Sequence, residues 1–125
     1  WRLLPEYRYQ NMPGGPLLMV NLMGGTLQEK PEAYAKYSPL THVSPNSPPT
    51  LYLTGAQDFY YLAPYGELLH EKLMDAGVPS VYHSFKLADH GFLLFFPRTS
   101  QVAKTGMFTV AQWLNELDDP RTIPA

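Results

Sequence analysis

The chain has 125 residues, 45% of them hydrophobic and 16% charged, which is typical of one globular domain rather than of a disordered chain. The formal net charge is −2 and there is no basic stripe, so nucleic acid is not expected as a partner. Cysteine is absent, which excludes disulfides and thiolate metal sites, and no run reaches the roughly 18 consecutive apolar residues of a membrane span.

The first 49 residues predict an irregular and partly helical segment. Within it, Pro16 suits a first helical position and the pair Gly24-Gly25 suits a stop, which predicts a helix over residues 16–23. The chain begins at Trp1 and shows no secretory signal pattern, so we expect either that a leader has been removed or that the chain is a piece of a longer protein.

A second short helix follows. Thr26 and Glu29 have the spacing of a capping box, and Pro31 restarts a helix that ends near Tyr37. Residues 38–49 carry four prolines and are predicted to form a loop.

The pattern then changes to alternating strand and helix. Residues 50–55 form a short apolar run ended by glycine, as expected for a strand buried on both faces. Residues 62–76 predict a helix that Gly77 terminates. Its predicted inner stripe consists of Leu62, Tyr65, Leu69, Leu73 and Ala76.

Another strand and another helix complete the chain. Residues 80–87 alternate, with Val81, His83, Phe85 and Leu87 on one face, which predicts a strand that is half buried or near a sheet edge. After a polar break and an apolar run, residues 99–119 predict a long helix capped by Thr99 or Ser100. Its inner stripe is predicted to be Gly106, Val110, Trp113, Leu114 and Leu117.

These elements predict an α/β fold with a strand–helix–strand–helix core over residues 50–118, within one partial domain spanning residues 1–125. A crossover of this length implies parallel strands and a right-handed connection. Two strands leave open edges and uncovered faces. We therefore expect the sheet to be completed by association, with copies of this chain or with a complementary chain.

Two polar residues follow the two predicted strands. Asp58 comes after the first strand and His90 after the second, and the carboxyl ends of neighbouring parallel strands lie at the same sheet edge. The two side chains are therefore expected to meet. A carboxylate that binds one imidazole nitrogen fixes the tautomer and leaves the other nitrogen to act as a base, which is the acid and histidine part of a nucleophilic triad.

Simpler interpretations stand beside this one. Asp58 is also a common turn residue, since its side chain bonds nearby amides, and His90-Gly91 could be a turn with a solvated imidazole. Asp89 is expected to be a turn or capping residue. His83 is expected to be packed or hydrogen-bonded within the sheet, whereas His42 and His70 are expected at the surface. A metal site built from His83, Asp89 and His90 has no recognised ligand spacing.

A triad also needs a nucleophile. The chain has six serines, and none lies in a G-x-S-x-G elbow between a strand and a helix. From the residues alone, the site has an acid and a base but no recognisable nucleophile. The six serines are Ser38, Ser44, Ser47, Ser80, Ser84 and Ser100.

The order and spacing of three stretches resemble the C-terminal part of α/β-hydrolase esterases and lipases, most closely the bacterial carboxylesterase and feruloyl-esterase-like group. The stretches are "NLMGGTLQEKPEAYAKYSP", "YSPLTHVSPNSPPTLYLTGAQDFY" and "ELLHEKLMDAGVPSVYHSFKLADHGF", and the resemblance extends over roughly residues 21–117. It implies a portion of the α/β-hydrolase fold with Asp58 as triad acid and His90 as triad base. Asp89 departs from the family, which usually has small residues before this histidine.

The resemblance implies a carboxylic-ester hydrolase in which this chain supplies acid and histidine, a small ester is the substrate, no cofactor is needed, and a serine comes from elsewhere. Alone, the chain is expected to have little or no activity. One alternative is a non-catalytic binding or assembly module that keeps a hydrolase half-fold. Another is a metal-dependent hydrolase, which would need metal at His83 or His90.

Overall fold

The computed structural model describes residues 15–58, 63–95 and 99–118. The chain divides into two compact units, Trp1–Val43 and Ser44–Ala125. The single partial domain predicted for residues 1–125 stays a prediction. No helix in the described parts of the chain is long and apolar enough to cross a membrane.

The first described element of the first unit is helix α1, Gly15–Met23, in agreement with the predicted helix. Gly24 ends it with φ at +76°, and the amide of Gly25 donates to the Val20 carbonyl at 2.9 Å. A glycine in the left-handed conformation, followed by an amide that donates to the carbonyl five residues earlier, is a common helix C-cap.

Thr26 and Glu29 form the reciprocal bonds of a capping box. The Thr26 amide donates to Glu29 Oε2 at 2.8 Å, and the Glu29 amide donates to Thr26 Oγ1 at 3.3 Å. These bonds close a turn, and helix α2 starts afterwards at Pro31 and runs over Pro31–Tyr37, as predicted. The loop predicted over residues 38–49 contains one regular piece, a 3₁₀ turn at Pro39–His42.

The second unit contains the predicted strand–helix–strand–helix core. Its described elements are β1 (Thr50–Gly55), α3 (Ala63–Asp75), β2 (Ser80–Phe85), α4 (Phe92–Phe95) and α5 (Gln101–Asp118). The two strands pair in parallel, and the register runs from Thr50 opposite Ser80 to Gly55 opposite Phe85. The α/β class with two parallel strands and flanking helices is therefore confirmed.

Helices lie against both faces of this two-stranded sheet, without covering them fully. Gly66 of α3 approaches the rings of Tyr52 and Tyr82, so α3 lies on the face to which these tyrosines point. Leu51 and Leu53 point to the opposite face, where they share an apolar groove with Val110, Trp113 and other residues. Because side chains alternate along a strand, this division follows directly from the sequence of β1.

Helix α3 ends at Asp75, and Gly77 with φ at +75° terminates it, as predicted. The Gly77 amide donates to Met74 and the Val78 amide donates to Leu73, both at 2.9 Å, which is the bond pair of a Schellman motif. Leu73 and Val78 are both buried, so the motif also brings two core side chains together.

Several predicted details are wrong. Strand β1 is only half-buried over its first four residues, so it is not covered on both faces by the described residues. Strand β2 ends at Phe85, and Leu87 is 79% exposed in the following turn. The predicted inner residue Leu114 of α5 is half-exposed. Leu62 and Asp119 lie outside the described residues.

Candidate active site

The acid candidate sits in a tight turn directly after β1. The Asp58 amide donates to the carbonyl of Gly55 at 3.2 Å, so the chain reverses immediately beyond the strand. Asp58 is buried although its side chain is ionisable. Because burying a carboxyl group is costly unless it is hydrogen-bonded, a donor is expected close to the Asp58 side chain.

The histidine candidate sits in the loop after β2. The Ala88 amide donates back to Phe85 at 3.1 Å, and this turn ends the strand two residues earlier than the alternation predicts. Further on, the His90 amide donates to Oδ1 of Asp89 at 2.7 Å. Asp89 is exposed, and it serves as a loop residue, as expected.

The loop then leads into a helix. Gly91 has φ at +66°, a conformation that favours glycine, and its carbonyl accepts the Leu94 amide at 2.8 Å. The chain thus turns sharply at His90-Gly91 and continues as α4.

The two loops bring Asp58 and His90 together. Nδ1 of His90 lies 2.9 Å from Oδ2 of Asp58. The Asp58 side chain is 5% exposed and the His90 side chain 38% exposed. An ionised carboxylate only accepts hydrogen bonds, so it holds the neutral ring with its proton on Nδ1. Nε2, on the far side of the ring, is then the nitrogen that can take a proton from a nucleophile.

Main-chain bonds connect the two loops beside this pair. The Ala56 amide donates to the Phe85 carbonyl at 2.9 Å, which extends the ladder between β1 and β2. The Gln57 amide donates to the Ala88 carbonyl at 3.0 Å. The acid and histidine loops are therefore held to each other by backbone as well as by side chains.

The other histidines lie elsewhere. His42 is exposed, as expected. His83 is exposed on β2, with its ring 4.3 Å from that of Phe85, so it is packed on one side only. The expectation of a surface position is wrong for His70, which is half-buried and lies 3.0 Å, Nδ1 to Oγ, from Ser80. The sequence contains no signal for that pair, because it depends on how α3 packs on β2.

The metal hypothesis gains no support from the structure. Within residues 15–58, 63–95 and 99–118, no three His, Asp or Glu side chains are grouped as metal ligands. His83, Asp89 and His90 therefore do not form such a cluster.

The six serines are all among the described residues, and most have a local structural partner. Ser80 contacts His70, Ser100 accepts the Ala103 amide at 3.3 Å as the cap of α5, and Ser47 accepts the amide of Ser44. The prediction that Thr99 or Ser100 caps this helix is thus resolved to Ser100.

Comparison with known proteins identifies a family. The model of the prolyl oligopeptidase family matches residues 12–116, which is most of the chain. No curated protein and no solved structure matches. The match confirms the α/β-hydrolase assignment but does not support the narrower esterase and feruloyl-esterase group. The chain belongs to the prolyl oligopeptidase family, an α/β-hydrolase family of serine hydrolases.

Proposed function

We propose that this chain supplies the acid, Asp58, and the histidine, His90, of a Ser–His–Asp triad that hydrolyses oligopeptides. The nucleophilic serine comes from outside these 125 residues. The observation that carries the proposal is the 2.9 Å contact between a buried carboxylate and a more exposed imidazole, each placed just beyond one of two paired parallel strands. Ligands of open α/β sheets bind at that edge.

The chemistry follows from the two environments. Nε2 of His90 takes the proton of the serine hydroxyl as the serine oxygen attacks the peptide carbonyl, and the resulting imidazolium protonates the leaving amine. Water then attacks the acyl-enzyme with His90 again as the base, which releases the acid product and the free serine. Asp58 keeps the ring in the correct tautomer and stabilises its positive charge.

The bond that is cleaved distinguishes two versions of this function. The family match favours a peptide bond, and a proline-containing oligopeptide is the first substrate to test. The resemblance of residues 37–60 to esterases favours a small carboxylic ester as the second candidate. Both substrates pass through an acyl-enzyme, so the same Asp58–His90 pair serves either.

The proposal also includes a partner. A complementary hydrolase chain would supply the serine and complete the two-stranded sheet. Association of copies of this chain would complete the sheet without supplying a serine. A non-catalytic binding or assembly module remains the alternative from a different class, since it would keep the half-fold and need no serine.

The experiment uses the longest open reading frame that contains these 125 residues. Hydrolysis of a proline-containing peptide p-nitroanilide and of a p-nitrophenyl ester is measured for the unaltered protein, for His90→Ala and for His83→Ala. His83 is the matched control because it is an exposed histidine on the adjacent strand. We expect His90→Ala to lower kcat on the order of 10⁶-fold, as for other triad histidines, and His83→Ala to have little effect.

A fluorophosphonate probe provides the second measurement, because only an activated serine reacts with it. Labelling that disappears in His90→Ala supports the triad, and absence of labelling in the unaltered protein supports the binding module. The ratio of kcat/KM between peptide and ester decides which bond is the substrate. Full turnover by the isolated chain that persists in His90→Ala contradicts the proposal.

A further inference from the structure

Gly55, the last residue of β1, lies unusually close to the histidine loop. A Cβ atom at this position would lie 2.4 Å from the Ala88 carbonyl oxygen, 2.6 Å from the Ala88 carbonyl carbon and 2.7 Å from the Asp89 carbonyl oxygen. All three are main-chain atoms, which cannot move aside by a rotamer change. The close approach therefore requires a residue without a side chain.

The requirement for glycine here concerns space and not backbone conformation. Gly24, Gly77 and Gly91 have positive φ, whereas φ of Gly55 lies outside that range. Other residues could adopt the backbone of Gly55 without strain. Alanine at this position would fail only because the histidine loop occupies the space of its methyl group.

The atoms that Gly55 allows to approach are the ones that connect the two loops. The Ala88 carbonyl accepts the Gln57 amide at 3.0 Å. Gln57 directly precedes Asp58, and Ala88 lies two positions before His90. A displacement of Ala88 relative to β1 is therefore transmitted over one or two residues to each member of the pair.

We infer that Gly55 is a positioning residue, whose missing side chain sets the distance between Asp58 and His90; this inference rests on the proposed function. To reach ordinary van der Waals contact at 3.4 Å, a methyl group on residue 55 would push the Ala88 carbonyl away by about 1 Å. A contact of 2.9 Å cannot lengthen by that amount and remain a hydrogen bond.

The test measures the histidine tautomer in the full 125-residue chain, which needs no serine. Long-range proton–nitrogen NMR spectra are recorded about two pH units above the ordinary histidine pKa of about 6.5, where imidazoles are neutral. We expect His90 to carry its proton on Nδ1 in the unaltered chain and to shift towards the Nε2-protonated form in Gly55→Ala. Asp58→Asn serves as the positive control for loss of the pair.

Gly77→Ala is the matched control for loss of stability. It strains a residue with φ at +75°, but among the described residues, apart from its chain neighbours, no atom lies within 4 Å of the added methyl group. We expect this variant to keep the Nδ1 proton on His90. A parallel measurement in the longest open reading frame should show Gly55→Ala lowering kcat about 10²-fold with KM unchanged, since a 1 Å misplacement can cost that much.

The outcomes separate this inference from the proposed function. If Asp58→Asn leaves the tautomer unchanged, the pair itself is wrong and both proposals fail. If Asp58→Asn shifts the tautomer and Gly55→Ala does not, or if Gly77→Ala shifts it equally, only the positioning role of Gly55 is overturned. If Gly55→Ala does not fold in buffer, its spectrum is recorded in the presence of trimethylamine N-oxide, which favours the folded state. If Gly55→Ala is still unfolded there while Gly77→Ala folds, the positioning role of Gly55 is also overturned.

Discussion

Oδ2 of Asp58 lies 2.9 Å from Nδ1 of His90, although 32 positions separate the two residues along the chain. The carboxylate is almost fully buried and the imidazole is more than one-third exposed. Burial strengthens the hydrogen bond that orients the ring, because the local dielectric is low. Exposure leaves the imidazole accessible to a reacting group. The geometry therefore suits an orienting acid behind an accessible base.

Replacing Asp58 with Asn should test whether this carboxylate, and not simply any acidic side chain near His90, orients the imidazole. In the longest open reading frame containing this chain, we expect Asp58→Asn to lower kcat on the order of 10⁴-fold, because the amide favours the wrong histidine tautomer. Asp89→Asn is the control, since this neighbouring carboxylate is exposed and accepts only the His90 amide among its described contacts. Equal losses in both variants would contradict the assignment of the acid to Asp58.

The meeting of Asp58 and His90 could be predicted because it depends on topology. Hydrophobic periodicity predicts two strands and a crossover helix, and parallel strands bring their carboxyl ends to one edge. Polar residues just beyond the two strands are then expected at that shared edge. The length of β2 was harder to predict, because alternation continues to Leu87 while the strand is ended at Phe85 by the Ala88 amide turning back.

Other features depend on packing that the sequence pattern does not encode. The approach of Gly55 to Ala88 and the contact of His70 with Ser80 each join residues from different elements. A glycine at a strand end equally predicts an ordinary turn, so the sequence does not indicate that Gly55 makes room for the Ala88 carbonyl. The apolar run of β1 predicts burial on both faces, but the described residues cover it only in part.

Gly66 provides a prediction about packing between α3 and the sheet. A Cβ atom there would lie 2.2 Å from the ring of Tyr52 and 2.9 Å from that of Tyr82, whose hydroxyl is held by the Ala63 carbonyl at 3.0 Å. We expect Gly66→Ala to lower the free energy of unfolding by about 1–3 kcal/mol through overpacking, despite the better helix propensity of alanine. Urea denaturation followed by circular dichroism measures this change.

Gly106→Ala is the matched control, because it also adds a methyl group to a close-packed helical glycine. Its nearest neighbour would be Cδ2 of Leu93 at 2.6 Å, the flexible end of a side chain. The loss of stability should be clearly smaller than for Gly66→Ala. A larger loss at Gly106 than at Gly66 would show that the tyrosine rings move aside easily.

The capping box in the first unit should give a local pH dependence. Hydrogen bonds from the Thr26 amide and then from its hydroxyl lower the pKa of Glu29 from its ordinary value of 4.5, and Lys30 adds a smaller effect in the same direction. Since the folded pKa lies below the unfolded one, the stabilisation is fully present above pH 4.5 and is lost as pH falls through the folded pKa.

Carboxyl-carbon NMR titration of Glu29 measures this directly. Thr26→Ala should raise the pKa of Glu29 only part of the way, because the backbone donor remains in place. Thr41→Ala is the control, since its hydroxyl contacts the main-chain carbonyl of Ser38 in another turn. A pKa of Glu29 at 4.5 in the unaltered chain would contradict the capping box.

The open edge of β1 leads to the last prediction, that the chain associates. The amides of Thr50 and Ala56 donate towards β2, and amides of a strand alternate in direction, so those of Leu51, Leu53 and Gly55 point to the other edge. Within the described residues no third strand pairs with that edge. Beside it lies an apolar groove of about 320 Å³, lined by Leu51, Leu53, Leu93, Val110, Trp113 and Leu114.

Unpaired strand edges and exposed apolar surface favour pairing with another chain, so we expect species larger than a monomer in analytical ultracentrifugation. Leu114→Lys places a charge in the groove and should shift the distribution towards monomer. Met107→Lys is the matched control, because Met107 lies on the same helix, is 51% exposed against 50% for Leu114, and is outside the groove. The unaltered chain sedimenting as a single monomeric species at all concentrations would count heavily against association. Equal shifts in both variants would show that association does not use this groove.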